Sequence, residues 1–344
     1  MTETKQADPF VLLELAGYQT MVDDLRAVLV AHPELLTDFD LPDVPTVAGV
    51  RYVAPGNEPE LDAIMVEPAS TRPRVIQLGA GDYHRTGPLV WPDVDPVPSI
   101  QGYGPFQTRI YWDTDGGTCF QMSDHGTEYV KGIGFRPGTG KPDCWYDNSA
   151  DTAHDYGEHI IDCFFGDWNT TTGTAAVKLG QTINVFLDRV RFGGGKGPAI
   201  LAKGQLGTIN IDRFTVDSNA AEGQFGGLLQ LDYTQGQQMT VRVANGRVEC
   251  SGDDYAAPRA LVRVVGGSGT PALVLLENVQ IDLGSITEPH YVFWSDSGRS
   301  VFSAEFVSRL PAGLIDWQGG SGGTPISDIP AIWTNGTINA GGII

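Results

Sequence analysis

The chain has 344 residues, with 42 acidic against 22 basic side chains and a net charge of −20. That balance opposes binding along a nucleic-acid backbone, where affinity comes from neutralising phosphates with Lys and Arg, and it equally opposes a polybasic membrane-surface role. A 41% hydrophobic content excludes a disordered chain, and four cysteines with no Cys-x-x-Cys pair exclude a disulfide-dense scaffold. Charged residues make up only 19% of the chain while glycine numbers 44, a profile of turn-dense β structure.

In chain order, the first predicted element is an α-helix over residues 8–32. Val11, Leu15, Tyr18, Val22, Leu25 and Leu29 alternate spacings of four and three, the seam of a coiled coil. Asp8-Pro9 supplies an N-cap and first-turn proline, and Pro33 ends the helix. The same stripe also suits an amphipathic helix packed on its own domain. Either way so short a helix needs a partner or an attached oligomer, and the seam predicts oligomerisation. Residues 33–70 carry Pro33, Pro42, Pro45, Pro55, Pro59 and Pro68 among many acids, so residues 1–70 are expected to form a helix and proline-rich neck for oligomerisation or docking. The polar start, Met1 to Gln6, has no basic patch followed by an apolar segment, and no apolar stretch reaches 18 residues. The expectation is a chain made in a cytoplasm and without membrane insertion.

Residues 71–318 repeat one apolar spacing: apolar, skip one, apolar, skip two, apolar, skip one, apolar. It occurs as Val185, Leu187, Val190, Phe192, as Ile209, Ile211, Phe214, Val216, and as Val274, Leu276, Val279, Ile281. With a glycine substituted it is Val241, Val243, Gly246, Val248, and degenerate copies include Val130 to Phe135, Ile161-Asp162-Cys163-Phe164 and Val301 with Phe306. The copies align near 130, 161, 187, 211, 243, 276 and 303, at intervals of 31, 26, 24, 32, 33 and 27. A second, shorter strand series alternates with them, at Cys119–Met122, Ala175–Leu179, Ala199–Leu201, Leu228–Leu231, Leu261–Val264 and Tyr291–Trp294. Period-two alternation sends successive side chains in and out, and the skip of two marks a corner, with pairs such as Asp188-Arg189, Asp212-Arg213 and Glu277-Asn278 facing out. One such turn cannot bury its own face, so turns must stack. The predicted fold is an all-β solenoid, with the N-terminal α-helix before it and a glycine-rich C-terminal segment after it.

The run Val75-Ile76-Gln77-Leu78-Gly79-Ala80-Gly81-Asp82-Tyr83, then Ile100-Gln101-Gly102-Tyr103-Gly104 and Thr108-Arg109-Ile110, resembles the opening turns of the pectate-lyase-like right-handed parallel β-helix superfamily. The resemblance implies a single-stranded right-handed parallel β-helix across about 72–318 and, since phage spikes of this fold are usually homotrimers, a homotrimer that the seam would suit. It leaves function open, since lyases, hydrolases, epimerases and phage tailspikes share the superfamily. Residues 319–344 open with Gly319-Gly320-Ser321-Gly322-Gly323, yet Ile326, Ile329, Ile332, Trp333, Ile338, Ile343 and Ile344 make the segment too apolar for a solvated tail, and it is expected to dock on the last turn or a neighbouring subunit.

Catalytic signatures are sparse. A polygalacturonase-like set would run Asp-Asp, Gly-His-Gly, Arg-Ile-Lys; here Asp124-His125-Gly126 precedes Asp253-Asp254 and no Arg-Ile-Lys occurs, nor does the lyase-like Arg-x-Pro-x-x-Arg. Asp113-Thr114-Asp115-Gly116-Gly117 lacks the later acid of a calcium loop and reads as a β-turn. Gly193 to Pro198 has no Ser or Thr after its lysine and is no phosphate loop. Cys119, Cys144, Cys163 and Cys250 read as buried packing residues, although Cys144 and Cys163 would pair if the loop between them folded back. No metal site and no cofactor are predicted. The richest polar cluster is 143–168, read as a protruding loop. Trp145, Tyr146, Asp147, Asp151, Tyr156, Glu158 and Trp168 are its glycan-binding candidates, because rings stack on sugars and carboxylates bond their hydroxyls. The competing reading is an acidic loop whose rings pack on the helix flank or a partner.

Together these features imply a virion protein of a phage tail, a fibre, spike or minor tail protein. Its expected partners are itself, other tail proteins and host-surface polysaccharide, not nucleic acid. A tailspike-type depolymerase on the same β-helix is the alternative.

Overall fold

A computed structural model describes residues 49–93, 96–122, 129–149, 157–169, 174–180, 184–194, 197–203, 207–219, 227–232, 239–251, 260–265, 272–283, 290–295, 301–305, 315–318 and 339–340. The chain divides between Arg51 and Tyr52. The helix predicted over 8–32, with its seam of Val11, Leu15, Tyr18, Val22, Leu25 and Leu29, lies outside the described residues, as do Asp124 to Gly126 and Asp253-Asp254. From Tyr52 onward the protein is an all-β solenoid of parallel strands with very little helix.

Strands recur in threes and build three faces. The first face stacks Val75–Leu78, Ser99–Gln101, Tyr129–Lys131, Glu158–Ile161, Asn184–Asp188 and Thr208–Asp212. The second stacks Gly81–Arg85, Thr108–Trp112, Gly134–Pro137, Phe164–Phe165, Arg191–Gly193 and Thr215–Asn219. Both continue through the long strands Met239–Ser251 and Ala272–Leu283, which run unbroken from one face to the other. The third face stacks Leu89–Val90, Thr118–Gln121, Cys144–Asn148, Val177–Leu179, Ile200–Lys203, Leu229–Asp232 and Ala260–Val265. In the C-terminal segment Asn339–Ala340 adds a parallel strand to Ile315–Gln318.

Register places like on like. On the second face Tyr83, Ile110, Phe135, Phe165, Phe192, Val216 and Val248 form one buried column, in which Phe135, Phe165 and Phe192 stack at centroid distances of 5.0 and 5.4 Å. Offset aromatic stacking adds to the area each ring removes from water. The first face answers with Ile76, Ile100, Val130, Ile160, Leu187, Ile211, Val243 and Leu276. This register corrects two of the repeat positions. Ile160 and Phe165 face the core, while Ile161 and Phe164 are only half-buried, so the copy assigned at 161 begins at 160; Leu276 likewise pairs with Ala304, not Ser303. A slip of one residue exchanges the two faces of a strand, and only neighbouring rungs decide the phase.

The skip of two has a backbone cause. Asp162, Arg189, Arg213, Asn245 and Asn278 all have φ between 51° and 54°, and Gly132 on the preceding rung has φ 67°. One left-handed residue per rung turns the corner between the first and second faces. The N–H groups of Gly132, Asp162, Arg189 and Arg213 each donate to a carbonyl of the next rung. Holding a non-glycine residue there costs about 1–2 kcal/mol, least for Asn and Asp. Side chains tie the corners together: Arg213 makes a two-pronged pair with Asp188, Asn245 donates to Asp212 at 2.8 Å, and Asn278 donates to Asn245 at 3.0 Å.

Part of the segment assigned to the neck belongs to the solenoid unit. Glu58–Met65 is an α-helix, with Pro59 in its first turn and with Leu61, Ile64 and Met65 buried. It packs against Gly81–Arg85 and Leu89–Val90 at the N-terminal end of the stack, shielding a strand edge that would otherwise invite pairing. Asp62 fixes it by a two-pronged pair, at 2.7 and 3.2 Å, with the buried Arg85. Cys119, Cys144 and Cys163 are free and buried. Desolvation pushes the thiols of Cys119 and Cys163 up to about 12, which suits inert packing residues.

Candidate functional site

The cluster at 143–168 is not one protruding loop. Cys144–Asn148 is a third-face strand, with Tyr146 in register with Phe120 and Val177, and Glu158–Ile161 and Phe164–Phe165 open the next rung. Trp145 and Tyr146 are fully buried and Trp168 is 2% exposed, all three within the hydrophobic core. Trp145 lies 5.8 Å from the Phe135 ring and donates from Nε1 to the Gly166 carbonyl at 2.9 Å. These rings present no face to a sugar, so the assignment of Trp145, Tyr146 and Trp168 to a glycan groove is corrected. Asp147 pairs with Lys178 across the third face at 3.2 Å. Asp151 and Tyr156 lie outside the described residues.

Glu158 is also inside. It stands in register with Val185, on a column continued by Ile209 and Val241, and is fully buried. Its Oε2 accepts from Asn148 Nδ2 at 3.2 Å, while Oε1 has no hydrogen-bond partner. Burial raises its carboxyl well above the usual range and favours the protonated form.

The exposed chemistry lies instead on the outer side of the second face. Alternation along Gly81–Arg85 turns Tyr83 and Arg85 inward, leaving Asp82 and His84 outside. Thr108–Trp112 does the same with Arg109 and Tyr111, and the following rungs add Arg136 and Phe164. Register sets His84, Tyr111 and Arg136 side by side, and sets Asp82, Arg109, Gly134, Phe164 and Arg191 in the neighbouring row. Adjacent rungs lie about 4.8 Å apart, close to the thickness of one sugar ring.

Gly134 shapes this surface. A Cβ there would lie 2.0 Å from the Pro105 carbonyl oxygen, so only glycine lets the loop before Thr108 close over the rung. That loop carries Phe106, which is 64% exposed. The Arg136 guanidinium lies over Phe164 at 4.7 Å and over Phe106 at 5.9 Å, and Arg109 lies 5.9 Å from the Tyr111 ring. His84 stacks on Tyr111 at 5.2 Å with an interplanar angle of 12°.

Two carboxylates border the rings, and both are engaged. Asp82 accepts from Arg109 Nε at 2.6 Å. Asp113 accepts from the Thr139 backbone N–H at 3.0 Å and lies 2.7 Å from His84 Nδ1; those bonds, the Thr139 one first, hold its carboxyl below the usual range. Asp113 and Asp115 thus bind the backbone of the next rung, at Thr139 and Lys141, as the turn assignment requires. Among the described residues no group of His, Cys, Asp and Glu is arranged to hold a metal ion. A smaller aromatic pair, His159 and Phe186 at 4.9 Å, lies on the first face without carboxylates of its own row beside it.

No family model matches the chain, and no curated protein matches it. Among solved structures it is similar to one described as the crystal structure of the Agl-KA catalytic domain, over 82% of this chain and 64% of that one, at 11% identity and a TM-score of 0.34. The chain therefore spans less than two thirds of that domain, and the strand register, not this likeness, carries the fold.

The second-face surface was missed in the sequence although half of it stood in the quoted opening runs. Asp82 and Arg109 are the out-facing alternates of those strands, but their partners Arg136, Phe106 and Phe164 come from later rungs. Only register brings them together.

Proposed function

We propose that this chain is a glycan-binding β-solenoid that serves as a phage tail component, a fibre, spike or minor tail protein, with host-surface polysaccharide as its ligand. The observation that carries the binding reading is the outward surface in which Tyr111 lies between His84 and Arg136 in one row, Asp82, Arg109 and Phe164 occupy the neighbouring row, and Phe106 stands beside Arg136 from the loop before Thr108. Ring faces take up the C–H faces of sugars, and the interleaved polar groups bond their hydroxyls. The rigid stack holds these groups in place without a ligand, which lowers the entropy lost on binding. A tail role is supported by the heptad seam read in residues 8–32, which suits a homotrimer, and by the acidic proline-rich stretch after it.

Catalysis would need a free acid and base at a set separation. On this surface Asp82 and Asp113 are engaged by Arg109 and His84, and Glu158 is sealed inside, which favours binding over cleavage. The test is to screen the purified full chain against host cell-wall and capsule glycans by calorimetry. Phe106→Ala and Tyr111→Ala are each expected to weaken binding about five- to a hundredfold, the worth of one stacked ring at 1–3 kcal/mol in a comparable stacking site. Binding unchanged in both variants would sink the surface assignment. New reducing ends or 235-nm absorbance in the same mixtures would decide for the depolymerase.

A further inference from the structure

We infer that the second-face surface contains a seat for an anion, the carboxylate, sulfate or phosphate substituent of an acidic saccharide, and that Arg136 is the group that binds it. The inference deepens the glycan-binding reading and rests on it.

Arg136 stands apart from the other arginines on the outside of this face. Arg109 pairs with Asp82 at 2.6 Å, Arg191 with Asp217 at 3.2 Å and Arg247 with Glu249 at 3.0 Å. Among the described residues the Arg136 side chain has neither an ion pair nor a hydrogen bond, and its Nε is left without an acceptor. Acids outnumber bases by 42 to 22 in this chain, so a basic side chain on its surface ordinarily finds a carboxylate. The acids nearest by register are already committed, Asp113 to His84 and the Thr139 N–H and Asp167 to Lys141 at 3.3 Å.

The surroundings hold the guanidinium in place without neutralising it. Phe164 lies against one face at 4.7 Å and the exposed Phe106 stands at 5.9 Å. Such contacts fix a planar cation and shed part of its hydration while keeping its charge and its donor fork. Gly134 and Gly138 flank Arg136 along its own chain and add no side chain there. At Gly138 a Cβ would lie 2.0 Å from Asp113 Oδ1. A carboxylate, sulfate or phosphate oxygen pair matches the donor fork, and the neighbouring rings then receive the sugar that carries it.

One backbone with different substituents separates charge from sugar shape. Carboxymethyl dextran, dextran sulfate and dextran phosphate are titrated into the full chain beside uncharged dextran, for wild type, Arg136→Gln, Arg136→Lys and Arg191→Gln. At least one charged form is expected to bind wild type roughly ten- to a hundredfold more tightly than dextran, as a charge-assisted bond of about 1.5–3 kcal/mol implies. That preference should vanish in Arg136→Gln, fall partway in Arg136→Lys, which keeps the charge without the fork, and persist in Arg191→Gln. Which substituent is preferred tells carboxylate, sulfate and phosphate sources apart. Equal binding of charged and uncharged dextran, absence of binding by every form, or a preference surviving Arg136→Gln overturns the anion seat. If host glycans still bind through Phe106 and Tyr111 in that case, the glycan reading stands without it; if they do not, both fall. A thermal melt of Arg136→Gln matching wild type establishes that its losses are local.

Discussion

Gly246 breaks the repeat, and the structure explains the break. It occupies the position held by Val190 and Phe214 on earlier rungs and pairs with Val279 on the next. A Cβ built on Gly246 would lie 2.0 Å from Phe214 Cε1 and 2.3 Å from Cδ1 and Cζ, against about 3.5–4.0 Å for an ordinary carbon contact. Phe214 is only 2% exposed, so the clash falls inside the core. Gly246→Val, which would restore the repeat, is therefore expected to destabilise by about 1–3 kcal/mol, the usual cost of overpacking. The backbone itself favours valine, since glycine inside a strand costs roughly 0.5–1 kcal/mol. Once Phe214→Val removes the ring, Gly246→Val should become neutral or stabilising, completing a valine column from 190 to 279. The two substitutions should thus couple favourably by about 1–3 kcal/mol. Urea midpoints by circular dichroism on wild type, both single variants and the double variant measure this, with the m-values checked for constancy. A Gly246→Val midpoint equal to wild type, or additive effects in the double variant, would show that Phe214 does not set this glycine.

Further outcomes test other parts of the structure. Glu158 keeps its proton in the folded state at pH values where the unfolded chain has lost it, so its contribution is intact below about 4.5 and is lost as pH rises towards the raised folded value. Glu158→Gln should therefore gain on wild type with rising pH, by about 1–3 kcal/mol for a buried acceptor without a partner, and a difference in melting temperature that stays constant from pH 4.5 to 8 would refute this. Cys119, Cys144 and Cys163 should resist maleimide in the native protein and label fully in urea, read peptide by peptide by mass spectrometry; rapid native labelling at any of the three contradicts its burial. Asp62→Ala should remove the half-exposed partner of Arg85, which keeps its bonds to the Gly87 and Pro88 carbonyls, and cost about 1–2 kcal/mol if the helix cap is integral, seen as early loss of amide protection in the first rungs. Deleting residues 1–32 should abolish self-association in sedimentation and incorporation into particles, and a full-length mass equal to one chain would remove the trimer.

The solenoid was legible because its signal is local and repeated. Val185, Leu187, Val190 and Phe192 recur as Ile209, Ile211, Phe214 and Val216, and the pairs Asp188-Arg189 and Asp212-Arg213 mark the same corner each time. The phase was legible only where apolar and polar residues alternate cleanly. In Glu158-His159-Ile160-Ile161-Asp162-Cys163-Phe164-Phe165 two adjacent pairs, Ile160-Ile161 and Phe164-Phe165, each offer two candidates for one inward position. Glu158, an acid in an apolar column, adds a misleading cue. The same ambiguity made a surface loop of Cys144–Asn148, because Trp145 and Tyr146 carry no mark of burial until Phe120 and Val177 are placed beside them.

Composition and periodicity by themselves determined that this chain stacks turns and that glycines and polar pairs make the corners. Those properties depend on spacing within one turn, which is written in consecutive residues. Tertiary structure alone decided which aromatics are core and which are exposed. It drew Glu58–Met65 onto the end of the stack, gave Gly246 its reason in the Phe214 ring, and gathered His84, Tyr111, Phe106, Arg136 and Phe164 from four rungs onto one surface. Side chains that meet across a solenoid are separated by a whole turn, and the turns differ in length. Their meeting is set by hydrogen-bonded register between rungs, which no single stretch of sequence contains.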